Sequence, residues 1–104
     1  MTNYKLIFDD VILKQLKRAG KNKHIRDILS KILDKLERLG CHTGKLIDNR
    51  LSLYEVKLKK PPIRLYYKCN ETSKIISVFE YEMKTSQEKQ QKTINKLRKK
   101  SSET

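Results

Sequence analysis

Between Leu53 and Tyr67 the chain alternates apolar and polar residues on both sides of a Pro61-Pro62 break, and this period of two dictates a β-hairpin. Successive strand side chains point to opposite faces. The first arm therefore sets Tyr54, Val56 and Leu58 on one side and Glu55, Lys57 and Lys59 on the other. The second arm separates Leu65 and Tyr67 from Arg64, Tyr66 and Lys68. With the apolar sides turned to a core, Lys57, Arg64 and Tyr66 share an open face.

What that hairpin packs on is written upstream. Ile25, Ile28, Leu29, Ile32, Leu33, Leu36 and Leu39 recur at three and four, the spacing of an amphipathic helix, and Gly40 stops it. Before it, Phe8, Val11, Ile12, Leu16 and Ala19 keep helical spacing behind Asp9-Asp10, a capping start, until Gly20. Only Gly20 to Asn22 separate the two, so they form an antiparallel helical hairpin. Tyr4 to Phe8 reads as a short first strand or as the lead-in to the first helix. Residues 41–50 are polar and irregular; strands follow at 52–60, 63–69 and 74–81, joined by short turns as an antiparallel meander. From Ser86 the pattern is helical but strongly basic, with Ile94 and Leu97 as its few apolar anchors, and residues 101–104 are expected to fray. The expectation is one α+β domain over 1–104: a helical hairpin packed on a small twisted antiparallel sheet, with a C-terminal helix at the sheet edge.

Charge narrows the partner. Twenty-five Lys and Arg against 12 Asp and Glu give a net charge of +13, shared between both halves of the chain rather than held in a tail. Such a density favours a polyanion, nucleic acid above all. Cys41 and Cys69 lack CxxC spacing and a nearby histidine pair, so zinc is not expected, and they read as free thiols of a cytosolic protein. Neither a signal-peptide core nor an apolar run of membrane-spanning length occurs, so no membrane role is expected. In the third strand Ser77, Phe79 and Tyr81 alternate with Ile76, Val78 and Glu80. With Ile76 and Val78 turned to the helices, the open face gathers Lys57, Arg64, Tyr66, Phe79 and Tyr81, with Lys84 just beyond. Cations interleaved with rings suit RNA, the cations holding phosphates and the rings stacking on unpaired bases. The alternative is a solvated sheet face with ordinary aromatic packing.

The run Leu53-Tyr54-Glu55-Val56-Lys57, a turn, and Ile63-Arg64-Leu65-Tyr66-Tyr67 resembles the central hairpin of the RelE/HigB/ParE superfamily of bacterial and phage toxins, L-Y-E-L-R followed by Y-R-L-L-Y. Tyr81-Glu82-Met83-Lys84-Thr85-Ser86-Gln87 is similar to the F-x-K-K-T-x-K segment that precedes the last helix in the HigB branch, with Met83 in place of the first lysine. The resemblance implies a RelE-like fold and the toxin of a type II toxin–antitoxin pair: a ribosome-dependent endoribonuclease cutting messenger RNA by 2′-hydroxyl attack, without metal or cofactor. Its partners would be a cognate antitoxin, the ribosome and messenger RNA; the oligomeric state stays open. On this resemblance Arg64 stabilises the phosphate in the transition state. Lys57 is a phosphate clamp or proton acceptor, Tyr81 stacks near the scissile phosphate, and Lys84 assists the leaving group. Lys59, Tyr66, Lys68 and Phe79 would supply further RNA contacts. Glu80 and Glu82 are either surface charge or, for one of them, a general base; His42 borders the face in the family fold, whereas His24 opens the second helix. Two other functions fit the same resemblance: a ParE-like inhibitor of DNA gyrase, or a phage accessory protein that binds nucleic acid. The ParE-like function would not depend on Arg64 and Tyr81 as a nuclease does.

Overall fold

In the computed structural model, which describes residues 3–83 and 86–102, the chain opens on a short strand, β1 (Lys5–Phe8). Asp9 then caps α1 (Asp10–Ala19), its carboxylate accepting from the Val11 N–H at 3.0 Å. The Asn22 side chain caps α2 (Lys23–Leu39) in the same way through the Ile25 N–H at 3.3 Å. Ile25, Leu29, Ile32 and Leu36 form its buried stripe, as the spacing requires. Gly40 ends α2 at φ +77°, where a Cβ would lie 2.2 Å from the Tyr4 ring; both the backbone and the ring demand glycine there.

A 3-10 turn (Gly40–Thr43) leads into β2 (Lys45–Asp48), a strand in the stretch whose polar sequence reads as irregular. Gly44 permits the approach, since a Cβ would stand 2.2 Å from the Glu55 carbonyl oxygen. The expected hairpin follows as β3 (Leu53–Leu58) and β4 (Ile63–Asn70), then β5 (Ile75–Met83) and α3 (Gln87–Ser102). The sheet order is β1-β5-β4-β3-β2. Three of the four strand pairs are antiparallel, but β1 runs parallel to β5, so the sheet is mixed and wider than the meander read from sequence.

Each face of the sheet has its own core. On one, α1 and α2 bury Ile12, Leu29 and Leu36 against Val56, Leu65, Tyr67, Ile76 and Val78. On the other, Ile94 and Leu97 of α3 pack on Leu53, Tyr66 and Phe79. Here the structure corrects the expectation of a helix at the sheet edge: α3 lies across the second face. Leu97 is fully buried, which contributes about 1.5–3 kcal/mol. Since α3 has few apolar residues, ion pairs complete its docking. Lys96 reaches Glu80 at 2.8 Å, Arg98 reaches Asp48 at 2.9 Å and Lys100 reaches Asp9 at 3.2 Å.

The cysteines are not free thiols: Cys41 and Cys69 form a disulfide, with Cα atoms 5.4 Å apart. The fold brings them together because the 3-10 turn lies over β4, where the Tyr67 hydroxyl donates to the Cys41 carbonyl at 2.6 Å and accepts from the Gly44 N–H at 2.8 Å. Burial drives the Tyr67 phenol well above its ordinary pKa. Among the described residues no helix is long and apolar enough to cross a membrane.

Candidate functional site

Strand register arranges the polar face of the hairpin in two rows. Lys57, Arg64 and Glu82 lie opposite one another across β3, β4 and β5; Glu55, Tyr66 and Glu80 form the neighbouring row. Both rows face α3. The helix covers the second one, with Gln90 donating to Glu55 at 3.4 Å and Lys96 paired to Glu80, but makes no hydrogen bond or ion pair with Lys57 or Arg64. Lys57 is exposed and Arg64 half-buried. Two cations directly opposite on adjacent strands repel, and neither has a carboxylate partner among the described residues.

Glu82, across from Arg64 on β5, is committed elsewhere. One of its oxygens accepts from the Tyr66 hydroxyl at 3.0 Å, and the other accepts from the Thr93 hydroxyl of α3. Burial, reinforced by the Glu82 carboxylate at its hydroxyl, raises the Tyr66 phenol far above its ordinary pKa. Tyr66 is therefore a fixed donor and Glu82 a structural acceptor. What this face offers an outside ligand is Lys57 and Arg64, neither ion-paired among the described residues and both suited to grip the oxygens of a phosphate.

The aromatic part of the expected face is not open. Tyr66 is fully buried and Phe79 is 5% exposed, both beneath Ile94 and Leu97, so neither ring is available for stacking while α3 is docked. Tyr81 lies on the opposite side of the sheet. An irregularity in β5 is the cause: Tyr66 pairs with Glu80 but Tyr67 with Val78, leaving Phe79 as an extra residue. This bulge carries Glu80 and Glu82 to the α3 face and turns the Tyr81 ring onto the core under α1 and α2. Gln15 of α1 holds the Tyr81 backbone there, accepting from its N–H at 2.9 Å and donating to its carbonyl at 2.8 Å. The expected placement of Tyr81 on the face of Arg64 is thus corrected by strand register.

Lys59 is exposed just past the end of β3. Lys68 lies on the α3 face but donates to the Ser101 carbonyl at 3.3 Å, in the last turn of α3, where a cation complements the helix dipole. Lys84 falls outside the described residues. His42 pairs with Glu71 at 3.0 Å in an exposed contact, and His24 is exposed in the first turn of α2. No cluster of metal-ligating side chains occurs among the described residues. Sequence reasoning missed Gln15, Thr93 and Lys96; for Thr93 and Lys96 the available signal was the unusual pair of carboxylates in β5, which needed partners, and for Gln15, which bonds the Tyr81 backbone, there was none.

The architecture defines a class: an N-terminal helical hairpin on one face of a five-stranded mixed sheet and a C-terminal helix on the other. That fold is RelE-like. The chain is similar to the E. coli RelE toxin in the free state of a double mutant, with a TM-score of 0.67 and 20% identity over 90% of this chain and 97% of that one. The isolated E. coli RelE toxin gives a TM-score of 0.61 and 21% identity, over 90% and 98% of the two chains. The intact E. coli RelBE toxin–antitoxin complex gives 0.60 and 22%, over 80% and 99%. No family model and no curated protein matches the chain.

Proposed function

We propose that this protein is the toxin of a toxin–antitoxin pair and acts as an endoribonuclease on messenger RNA at the ribosome. The observation that carries this reading is the Lys57–Arg64 pair: two cations directly opposite on adjacent strands, neither ion-paired to a carboxylate among the described residues. A net charge of +13 supports a polyanionic substrate, and the RelE-like fold supports the choice of RNA.

Cleavage by a neighbouring 2′-hydroxyl requires a proton acceptor, stabilisation of charge on the phosphorane and help for the leaving 5′-oxygen. Arg64 takes the second task, because its planar fork matches two phosphate oxygens. Lys57 clamps the same or the adjacent phosphate. With both Glu82 oxygens occupied by hydroxyl donors, water takes the 2′-hydroxyl proton and supplies one to the leaving 5′-oxygen, and the rate enhancement comes chiefly from charge stabilisation. The RelBE complex supports an antitoxin partner, which for this chain would be acidic enough to complement its surface. The reading places the protein in the cytosol, with the translating ribosome.

Induction in a bacterial host tests this reading, with messenger RNA 5′ ends mapped after arrest by the wild type and by Arg64→Ala. The wild type is expected to create new ends inside translated codons. Loss of one preorganised charge donor should reduce cleavage by about 100- to 1,000-fold. Arrest by both proteins with intact messages and damaged chromosomes would overturn the nuclease reading in favour of a gyrase inhibitor.

A further inference from the structure

The open edge of β3 carries a second cationic feature. β2 pairs with β3 only from Leu53 to Glu55, so Val56 to Leu58 have no strand on that side. Beside this edge lies a cleft of about 420 Å³, lined by Lys35 of α2, Thr43, Gly44, Lys45, Glu55 and Lys57, among others. Lys35, Lys45 and Lys57 are all exposed, and none is ion-paired among the described residues. Glu55 stands opposite Lys45 in register; its carbonyl faces Gly44, and its carboxylate accepts from Gln90 on the α3 side of the sheet without an ion pair to any of the three lysines among the described residues.

Charge sets this cleft apart from its neighbours. The groove between β1 and α2 carries Asp34 and Glu37 against a single Lys5, and the one between α1, β5 and α3 sets Glu80 and Glu82 beside Arg18, Lys89 and Lys96. Each holds two carboxylates, where the β3-edge cleft holds one, Glu55. The β3 edge adds to its three lysines backbone groups that no described strand pairs. Lys57 also stands directly across from Arg64, so the cleft continues from the candidate site.

We propose that this cleft is a second phosphate-binding subsite, in which Lys35 and Lys45 hold backbone phosphates of the single-stranded RNA on the nucleotides next to the one gripped by Arg64. This rests on the RNA reading above. Lys57 is the residue shared between the two subsites, and the strand bends around the β3 edge to reach both. Binding there is electrostatic, independent of base identity and dependent on strand length.

Fluorescence anisotropy with a labelled ten-nucleotide RNA and a labelled trinucleotide, over a salt series, tests the proposal. The variants are Lys35→Gln/Lys45→Gln, Arg64→Ala and the remote pair Lys21→Gln/Lys23→Gln, each checked for folding by circular dichroism. Loss of two phosphate contacts should lower the salt slope by about 1.4 and weaken decamer binding roughly 20-fold at 0.1 M salt. The trinucleotide should be unaffected by that pair but weakened by Arg64→Ala. Decamer binding that falls with Arg64→Ala but not with the Lys35/Lys45 pair would overturn this subsite alone. Equal losses from the Lys21/Lys23 pair would overturn it in favour of general charge attraction. Absence of RNA binding by the wild type would overturn the subsite and the RNA reading together.

Discussion

Replacing Tyr66 by Phe removes a single oxygen from the middle of the second core. Its ring is fully buried and its hydroxyl donates to Glu82 at 3.0 Å, so the variant keeps the packing and deprives a buried carboxylate of one of its two hydroxyl donors. A hydrogen bond to a charged group contributes about 1.5–3 kcal/mol, and a domain of this size shifts its midpoint by about 4–8 °C per kcal/mol. Tyr66→Phe should therefore melt on the order of 10 °C below the wild type at pH 7. Alkaline titration adds a second, independent signature. The folded-state pKa of Tyr66 is raised, first by burial and then by Glu82, so its contribution is complete below the ordinary tyrosine pKa near 10 and is lost as pH rises above it. Tyr67, raised by burial, behaves alike. Each costs about 1.4 kcal/mol per pH unit in that window, and the variant retains only one of the two. Urea unfolding followed by circular dichroism at pH 7, 9, 10.5 and 11 should show the deficit of Tyr66→Phe shrinking above pH 10. A deficit that stays constant across that range, or that is absent at pH 7, would refute the assignment of Tyr66 as a buried donor to an ionised Glu82.

Two further outcomes follow from the ends of α1 and from the disulfide. Burial acts to raise the pKa of Asp9, but the Val11 N–H and Lys100 outweigh it, so its carboxyl sits below its ordinary value; the stability it adds is present above the unfolded carboxylate range and is lost as pH falls. Asp9→Asn, which keeps a capping oxygen, should cost less than about 1 kcal/mol at pH 7 and progressively less as pH falls below the unfolded carboxylate range, whereas Asp9→Ala should cost about 1 kcal/mol more throughout, as read by urea midpoints. The disulfide spans a sequence separation of 28, which predicts about 3–4 kcal/mol of stabilisation from loop closure. A reductant should lower the unfolding midpoint of the wild type but not of Cys41→Ala/Cys69→Ala, and thiol titration of the oxidised wild type after denaturation should find no free cysteine.

Periodicity made the architecture legible where one residue pattern served one partner. The α2 stripe and the inward set Val56, Leu65 and Tyr67 occupy the core that their spacing requires. Around α3 the pattern was less informative, because a helix with two main apolar anchors covers a sheet face by pairing Lys96, Arg98 and Lys100 with Glu80, Asp48 and Asp9, and these partners are far apart in sequence. Strict alternation along β5 failed at Phe79, where one extra residue reverses the sides of Tyr81 and Glu82. Nothing in the spacing of Cys41 and Cys69 joins them; only the packing of the 3-10 turn over β4 does. Lys57 and Arg64 were placed together by the turn-linked register of β3 and β4, the most local of the long-range pairings, and that part of the site was readable from the start.

The parallel pairing of β1 with β5 also sets an order of events during synthesis. Lys5 leaves the ribosome long before Ile75, its partner across the sheet, exists. Tyr4 already bonds to the Glu37 carbonyl of α2 through its N–H, so the helical hairpin can hold the first strand in waiting as a half-made edge. Closing that edge needs a contact of very large sequence separation, which slows folding relative to the neighbouring hairpins. Until β5 arrives, the nascent chain displays unpaired backbone at β1 and bare apolar side chains beneath α1 and α2. The sheet thus closes only after β5 has been made, leaving a window in which chaperones meet the domain unfinished.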